Sequence, residues 1–316
     1  MMTDQPNLQP RSASTFYFIG VTTAQSSIMK VFPKWMEILG QSTQIAGIDA
    51  PLHAPDETYR AIVQHMKSDP LVRGGLVTTH KIDLLQASRD QFEFLDSYAR
   101  LCGEISCISK RDGRLEGYAK DPISSGKAWQ AFVPAGHFGR THAEVLCYGS
   151  GGAAVATSVF LAHCPDAADR PSRFTLVDIS SSRLEHAREI HDQMDTDIHF
   201  DYVLSNDTRA NDKLMQTVPD GSVVINGTGM GKDLPGSPIS DDALFPDHAL
   251  VWEFNYRGEL DFLKQARQQA EARHLHVEDG WIYFLHGWTQ VIAEVFQLDL
   301  TPELFARLDE AASAFR

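Results

Sequence analysis

Residues 149–154 read Gly-Ser-Gly-Gly-Ala-Ala, a GxGxxA pattern directly after the apolar run Val145–Tyr148 and directly before a helical stretch from about Gly152 to His163. In such a turn Gly149 makes the tight bend, Gly151 lets bare backbone approach a pyrophosphate, and the small residue at 154 lets helix and strand pack closely. Ser150, Gly152 and Ala153 complete the candidate phosphate-binding turn, and the helix start adds unsatisfied N–H groups and partial positive charge. An ordinary strand-to-helix turn also uses glycines, so the neighbouring elements must separate the two readings. They favour a dinucleotide: strand, turn, helix and a second strand, "FTLVD", follow in order. That strand ends in Asp178, placed to accept hydrogen bonds from ribose hydroxyls, and the loop "HCPDAADRPSR" accounts for its long spacing from the glycines. An acid there repels a 2′-phosphate, so the expected cofactor is NAD; Arg183, close in sequence, keeps NADP open as the lesser alternative. The segment "INGTGMG" puts Asn226, Thr228 and Gly229 at the end of another strand, where ligands of parallel sheets lie and where glycines admit a nicotinamide ring. A plain flexible loop is the competing reading.

Positioning these residues takes two α/β series. The first runs through a strand at "TFYFIGV", a helix over Ser26 to Leu39, a strand at "QIAGIDAPL", a helix over Glu57 to Met66, and a strand at "GGLVTTHK". Gln86 to Leu101 is expected to be mostly helical. "SCISKRDGRLEGYAKD" reads as a hairpin turning at Asp112-Gly113. A helix around Ser124 to Phe132 and the loop "VPAGHFGRTHA" lead into the glycine-turn series. Helices over Glu259 to Ala272, Gly280 to Phe296 and Pro302 to Phe315 close the chain, the last two expected to return to the first series. Alternation of strands and helices makes the fold class α/β.

The chain has 316 residues, room for two ordinary domains, and a formal net charge of −14. That acidity argues against nucleic acid and anionic membranes as partners and leaves a small molecule. Four cysteines without CxxC spacing argue against a disulfide framework or structural zinc and fit a reducing cytoplasm. No apolar stretch reaches the length of a membrane span, and the opening residues lack the order of a signal peptide. "HLH" at His274 and His276 has no evident third partner, so no metal site is expected. Trp281, Tyr283, Phe284 and Trp288 read as helix core.

Taken together, the motifs resemble shikimate dehydrogenase over nearly the whole chain. "FIGVTTAQSSIMKVFPKW" is similar to the family's first strand, serine loop and helix, "LVTTHK" to its VTxPxK element, and "DGRLEGYAKD" to its hairpin ending in NTD. "YGSGGAA" resembles GAGGAA, "INGTGMG" the NATxxGM segment, "FNYRG" the VYxP segment, and "DGWIYFLHGW" the start of the closing helix. The resemblance implies a substrate-binding α/β domain over 15–121, completed by helices within 281–316, and a Rossmann NAD(P)-binding domain over 122–280. It also implies a catalytic pair, Lys81 and Asp121. A positioned amine held by a carboxylate can take a hydroxyl proton as hydride leaves, and return it in reverse. Burial lowers a lysine's pKa and a nearby carboxylate raises it, and the sequence leaves that balance open. Asp121 before Pro122 also reads as a helix cap.

Substrate positions implied by the resemblance are Ser26, Thr78, Ser106, Tyr256 and Gln290. The departures fall here. The family's second loop serine becomes Ile28, read evenly as pocket wall or helix core; Asn becomes Ser106; NTD becomes "AKD", adding Lys120; and the closing-helix Gln falls at Gly287, with Gln290 one turn later. Lys120 reads first as solvated and second as a contact for an anionic substrate. Losing hydrogen-bond partners for a buried substrate costs ~1–3 kcal/mol each. Catalysis and cofactor are therefore expected to persist while substrate recognition changes. The expected protein is an NAD(P)-dependent oxidoreductase for shikimate, quinate or a related small hydroxy or keto compound. The alternatives are a nucleotide-binding sensor that has lost catalysis and an enzyme that recycles bound NAD. A homodimer is left open.

Overall fold

The computed structural model describes residues 8–316. These divide into two compact units, the residues up to Lys120 with Gly287–Arg316, and Asp121–His286.

The first unit holds β1 (Thr15–Gly20), α1 (Ile28–Leu39), β2 (Gln44–Asp49), α2 (Asp56–Ser68), β3 (Val72–Val77), α3 (Lys81–Ser88), β4 (Phe94–Leu95), α4 (Ser97–Cys102), β5 (Cys107–Arg111) and β6 (Arg114–Tyr118). Its sheet has the order β2-β1-β3-β5-β6-β4. β1 pairs in parallel with β2 and β3, whereas β5 runs antiparallel to both β3 and β6. α1 buries Ile28, Val31, Phe32, Trp35 and Met36, the spacing of one helical face, and stops at Gly40 in the left-handed conformation. Ile28 is thus core. The β5–β6 turn takes positive φ at both Asp112 (50°) and Gly113 (77°), as a two-residue hairpin loop of matching twist requires.

Gln86 to Leu101 is mostly helical, but in pieces: α3 ends at Ser88, a 3₁₀ turn follows, and β4 separates it from α4. β4 pairs in parallel with β6, and Asp96 caps α4 by accepting from the Ala99 amide at 2.8 Å. Sheet pairing and a cap thus break an apolar pattern that reads as one helix.

The second unit holds α5 (Asp121–Phe132), α6 (His137–Thr141), β7 (Val145–Tyr148), α7 (Gly152–Ala162), β8 (Arg173–Asp178), α8 (Ser181–His191), β9 (His199–Leu204), α9 (Thr208–Met215), β10 (Val223–Asn226), β11 (Leu250–Glu253), α10 (Asp261–Gln269) and β12 (His276–Glu278). All neighbouring strands are parallel in the order β12-β11-β10-β7-β8-β9. Strand order reverses between β7 and β10, so the switch point lies at the glycine turn that follows β7. α7 is buried on nearly every side and packs on α5 so closely that a Cβ at Gly126 would fall 2.3 Å from the Phe160 ring.

α11 (Trp281–Phe296) begins in the second unit and ends in the first, where α12 (Pro302–Ser313) also lies. α12 is tied to α1 by the Trp35 indole, which donates to the Leu308 carbonyl at 2.7 Å. No helix of the described residues is long and apolar enough to cross a membrane.

Candidate active site

The glycine turn is built by contacts that glycine alone permits. Gly149 has φ +96°, and a Cβ there would fall 2.5 Å from the Gly227 carbonyl oxygen. The loop after β10 therefore rests on the turn. At Gly151, by contrast, an added Cβ would meet nothing within 4 Å, so the approach to the start of α7 is open. The Gly152 and Ala153 amides open α7 ahead of its first internal bonds, the Ala154 and Val155 amides turn to the Gly151 carbonyl, and Gly151 caps the helix without a side-chain bond. Bare N–H groups, dipole and open space together fit a phosphate.

Asp178 is 6% exposed and serves the turn directly. Its Oδ2 accepts from the Ser150 amide at 2.7 Å and the Ser150 hydroxyl at 2.9 Å, while Oδ1 accepts from the Ser180 amide at 2.9 Å. The Ser150 side chain is thereby spent on Asp178. Beside it lies a cavity of about 350 Å³ lined by Ile179, Arg183, Asn206, Thr208, Thr228 and Pro238 among others. Oδ1 accepts only one of these bonds and keeps capacity for a ligand hydroxyl.

Asn226 is fully buried, and its amide is committed to protein groups. Its Nδ2 donates to Glu253 Oε2 at 2.6 Å, and its Oδ1 accepts from the Thr228 amide (3.2 Å) and hydroxyl (2.7 Å). Thr228 Oγ1 in turn accepts from the Met230 amide at 3.1 Å. Tyr256, half-buried, packs on Trp281 and Phe284.

In the first unit Lys81 opens α3, and its carbonyl accepts from the Ile105 amide. His80, 1% exposed, anchors that start. One ring nitrogen lies 3.1 Å from the Tyr59 hydroxyl and the other 3.1 Å from the Gly20 carbonyl oxygen, joining α2 and the end of β1 to the residue before Lys81. Sequence reasoning missed His80, for which adjacency to Lys81 is the available signal. Thr78, partly buried, donates its amide to the Ile19 carbonyl, and Ser26, also partly buried, follows a 3₁₀ turn. An added Cβ at Gly287 would meet nothing within 4 Å, and Gln290 lies one turn on, partly buried. Asp121 occupies the first helical position of α5 in the second unit.

Lys120 corrects an expectation. It is 9% exposed, not solvated. Its ammonium meets Glu294 Oε2 at 2.5 Å and lies 4.7 Å from the Tyr118 ring centre. Arg111 pairs with the other oxygen of Glu294, and Tyr118 donates to Glu116 at 2.6 Å. Ser106 is drawn into the same cluster, its hydroxyl oxygen accepting the Lys120 amide at 2.8 Å. Sequence reasoning missed Glu294 because its partners lie some 174 residues away along the chain. Among the described residues no group of three or more His, Cys, Asp or Glu side chains is arranged to hold a metal ion.

A doubly wound parallel sheet with this glycine turn, in a chain whose other unit is an α/β sheet completed by C-terminal helices, is a two-domain Rossmann architecture. No family model matches the chain. It is 28% identical over 233 residues to the shikimate dehydrogenase (NADP(+)) of Streptococcus thermophilus, covering 72% of this chain and 75% of that one. It is 27% identical to the same enzyme of Streptococcus pneumoniae over 181 residues, spanning 58% of that protein's length. The quinate dehydrogenase of Corynebacterium glutamicum, solved in complex with NAD, superposes with a TM-score of 0.72 at 17% identity, over 96% of this chain and 99% of that one. The chain is thus similar to shikimate dehydrogenases in sequence and to shikimate and quinate dehydrogenases in fold.

Proposed function

We propose that the protein moves hydride reversibly between a nicotinamide dinucleotide and a small hydroxy or keto compound, shikimate, quinate or a related acid. The observation that carries this reading is the open start of α7 beside a buried, turn-bracing Asp178 at the sheet's switch point. A bound dinucleotide supplies or accepts the hydride. Amides at residues 151–153 hold its pyrophosphate, and Asp178 Oδ1 accepts from a ribose hydroxyl. We assign the preference to NAD, because a carboxylate at that spot opposes a 2′-phosphate. Exposed Ile179 supplies no countercharge; Arg183, on the cavity wall, is the residue that would. The similar streptococcal enzymes are named for NADP(+), so the two dinucleotides are to be compared directly.

Lys81 takes the hydroxyl proton during oxidation and returns it to the carbonyl oxygen during reduction, with Asp121 as its carboxylate partner. Thr78, Tyr256, Gln290 and Ser26 are the proposed substrate contacts. Ile28 is buried in α1 and Ser106 accepts the Lys120 amide, so both departures leave substrate recognition to other groups. The comparisons name dehydrogenases and give the sensor alternative no support.

Purified protein assayed with shikimate, quinate and a panel of small hydroxy acids, with NAD⁺ and NADP⁺ in turn, tests this. Dinucleotide reduction lost in Lys81→Ala supports it. No turnover with any compound, or turnover unchanged in that variant, overturns it.

A further inference from the structure

Glu253 ends β11 with no exposed surface, an unusual place for a carboxyl group. Three N–H donors converge on it. Oε1 accepts from the Asn255 amide at 2.9 Å and from Asn255 Nδ2 at 2.6 Å, and Oε2 accepts from Asn226 Nδ2 at 2.6 Å. Asn226 is its register partner across the β10–β11 ladder. A glutamine at 253 has one acceptor oxygen and would turn an NH₂ group toward other donors, so only a carboxylate satisfies all three.

The loops on either side are those at the mouth of the sheet. Asn226 passes the connection to Thr228 and Met230. Asn255 precedes Tyr256, and its carbonyl accepts from the Gly280 amide at 3.0 Å. The two loops also touch through backbone: a Cβ at Gly258 would lie 2.2 Å from the Gly231 carbonyl oxygen. Gly227 in turn rests on the glycine turn, donating its amide to the Tyr148 carbonyl at 2.7 Å.

We propose that Glu253 is a positioning residue that clamps residues 226–231 and 255–258 into one platform for the nicotinamide half of the dinucleotide. The platform's ligand rests on the dinucleotide reading above; the clamp itself does not. Burial, against its amide hydrogen bonds, pushes the Glu253 carboxyl up to about 7, and the charged group facing it, Asp279 on the segment after β12, adds to the rise. In the acid form one oxygen carries hydrogen among three donors, so the clamp weakens as pH falls through that range.

Two readouts on the full chain separate the claims. Amide hydrogen exchange without ligand should show residues 228–230 and 255–256 losing protection together in Glu253→Gln, while β7 and β8 keep theirs. Titration with NADH and NADPH should then show the tighter binder weakened about tenfold in that variant. Wild-type affinity should fall several-fold from pH 8 to pH 6, and the variant's profile should be flatter. The double variant E253Q/N226D reverses the polarity of the pair and should restore most of both readouts, less the bond that Asn226 Nδ2 donates to the Met230 carbonyl at 3.3 Å. Should E253Q not fold, Glu253→Asp keeps both oxygens on a shorter stem and should loosen the same two loops. Unchanged exchange in both loops overturns the clamp. Altered exchange with unchanged affinity in a wild type that binds overturns the platform role. A wild type that binds neither nucleotide overturns the dinucleotide reading and the platform role with it, while the exchange data still judge the clamp.

Discussion

Lys81 and Asp121 bear the proposed proton chemistry, and their substitution should be felt in turnover more than in binding. Lys81→Ala and Asp121→Asn should each lower kcat by roughly 10²- to 10⁴-fold, with the dinucleotide dissociation constant changing less than threefold. Steady-state kinetics alongside nucleotide titration checks the split. A second residue-scale expectation concerns acid. His191 is buried between Ser158 and Tyr202, and burial drives its pKa down to about 3; His286 is likewise lowered to about 4. Both are neutral when folded but protonate readily when unfolded. Their contribution is therefore present above about pH 6.5 and lost as pH falls toward 3–4, on the order of 1.4 kcal/mol per unit for each. Urea midpoints from pH 7 to pH 5 should fall, and His191→Gln should flatten that slope. The glycines and Asp178 were legible at this scale because their backbone needs fix the residue type. His80, Glu253 and Glu294 were not, because each acts through partners the chain brings near only by folding.

At the scale of elements, close packing sets the tolerances. Gly126→Val should drive a side chain into Phe160 and force α5 away from α7, lowering stability by ~1–3 kcal/mol in a thermal melt. Glu294→Ala should cost more, about 3–5 kcal/mol, because it leaves the buried ammonium of Lys120 and the Arg111 guanidinium without their shared carboxylate. Replacing Lys120 and Glu294 together by methionine and leucine should recover part of that loss. The hairpin was readable from Asp112-Gly113, since few pairs accept positive φ twice. The break between α3 and α4 was not, because β4 is only two residues long and owes its existence to β6. Local pattern reports which face is apolar; it does not report a neighbour's free edge.

For the whole molecule, an acidic surface holds two sheets of different character. The all-parallel sheet needs helices on both faces and yields its ligand site where strand order reverses. The mixed sheet belongs to the unit that holds Lys81 and the proposed contacts Ser26, Thr78 and Gln290. This division was visible early because order along the chain, strand, turn, helix and strand, survives even where individual residues change. Substrate identity was less visible, because Lys120 and Ser106, which the resemblance set among the candidate substrate positions, are turned by the fold to its own support.

The central claim is that the second unit binds a nicotinamide dinucleotide with Asp178 choosing its ribose. Calorimetric titration of the intact protein with NADH and NADPH, repeated in Asp178→Asn, measures it directly. NADH should bind at least tenfold more tightly, with most of that margin lost in the variant. Tighter binding of NADPH by the wild type, or binding of neither, would contradict it.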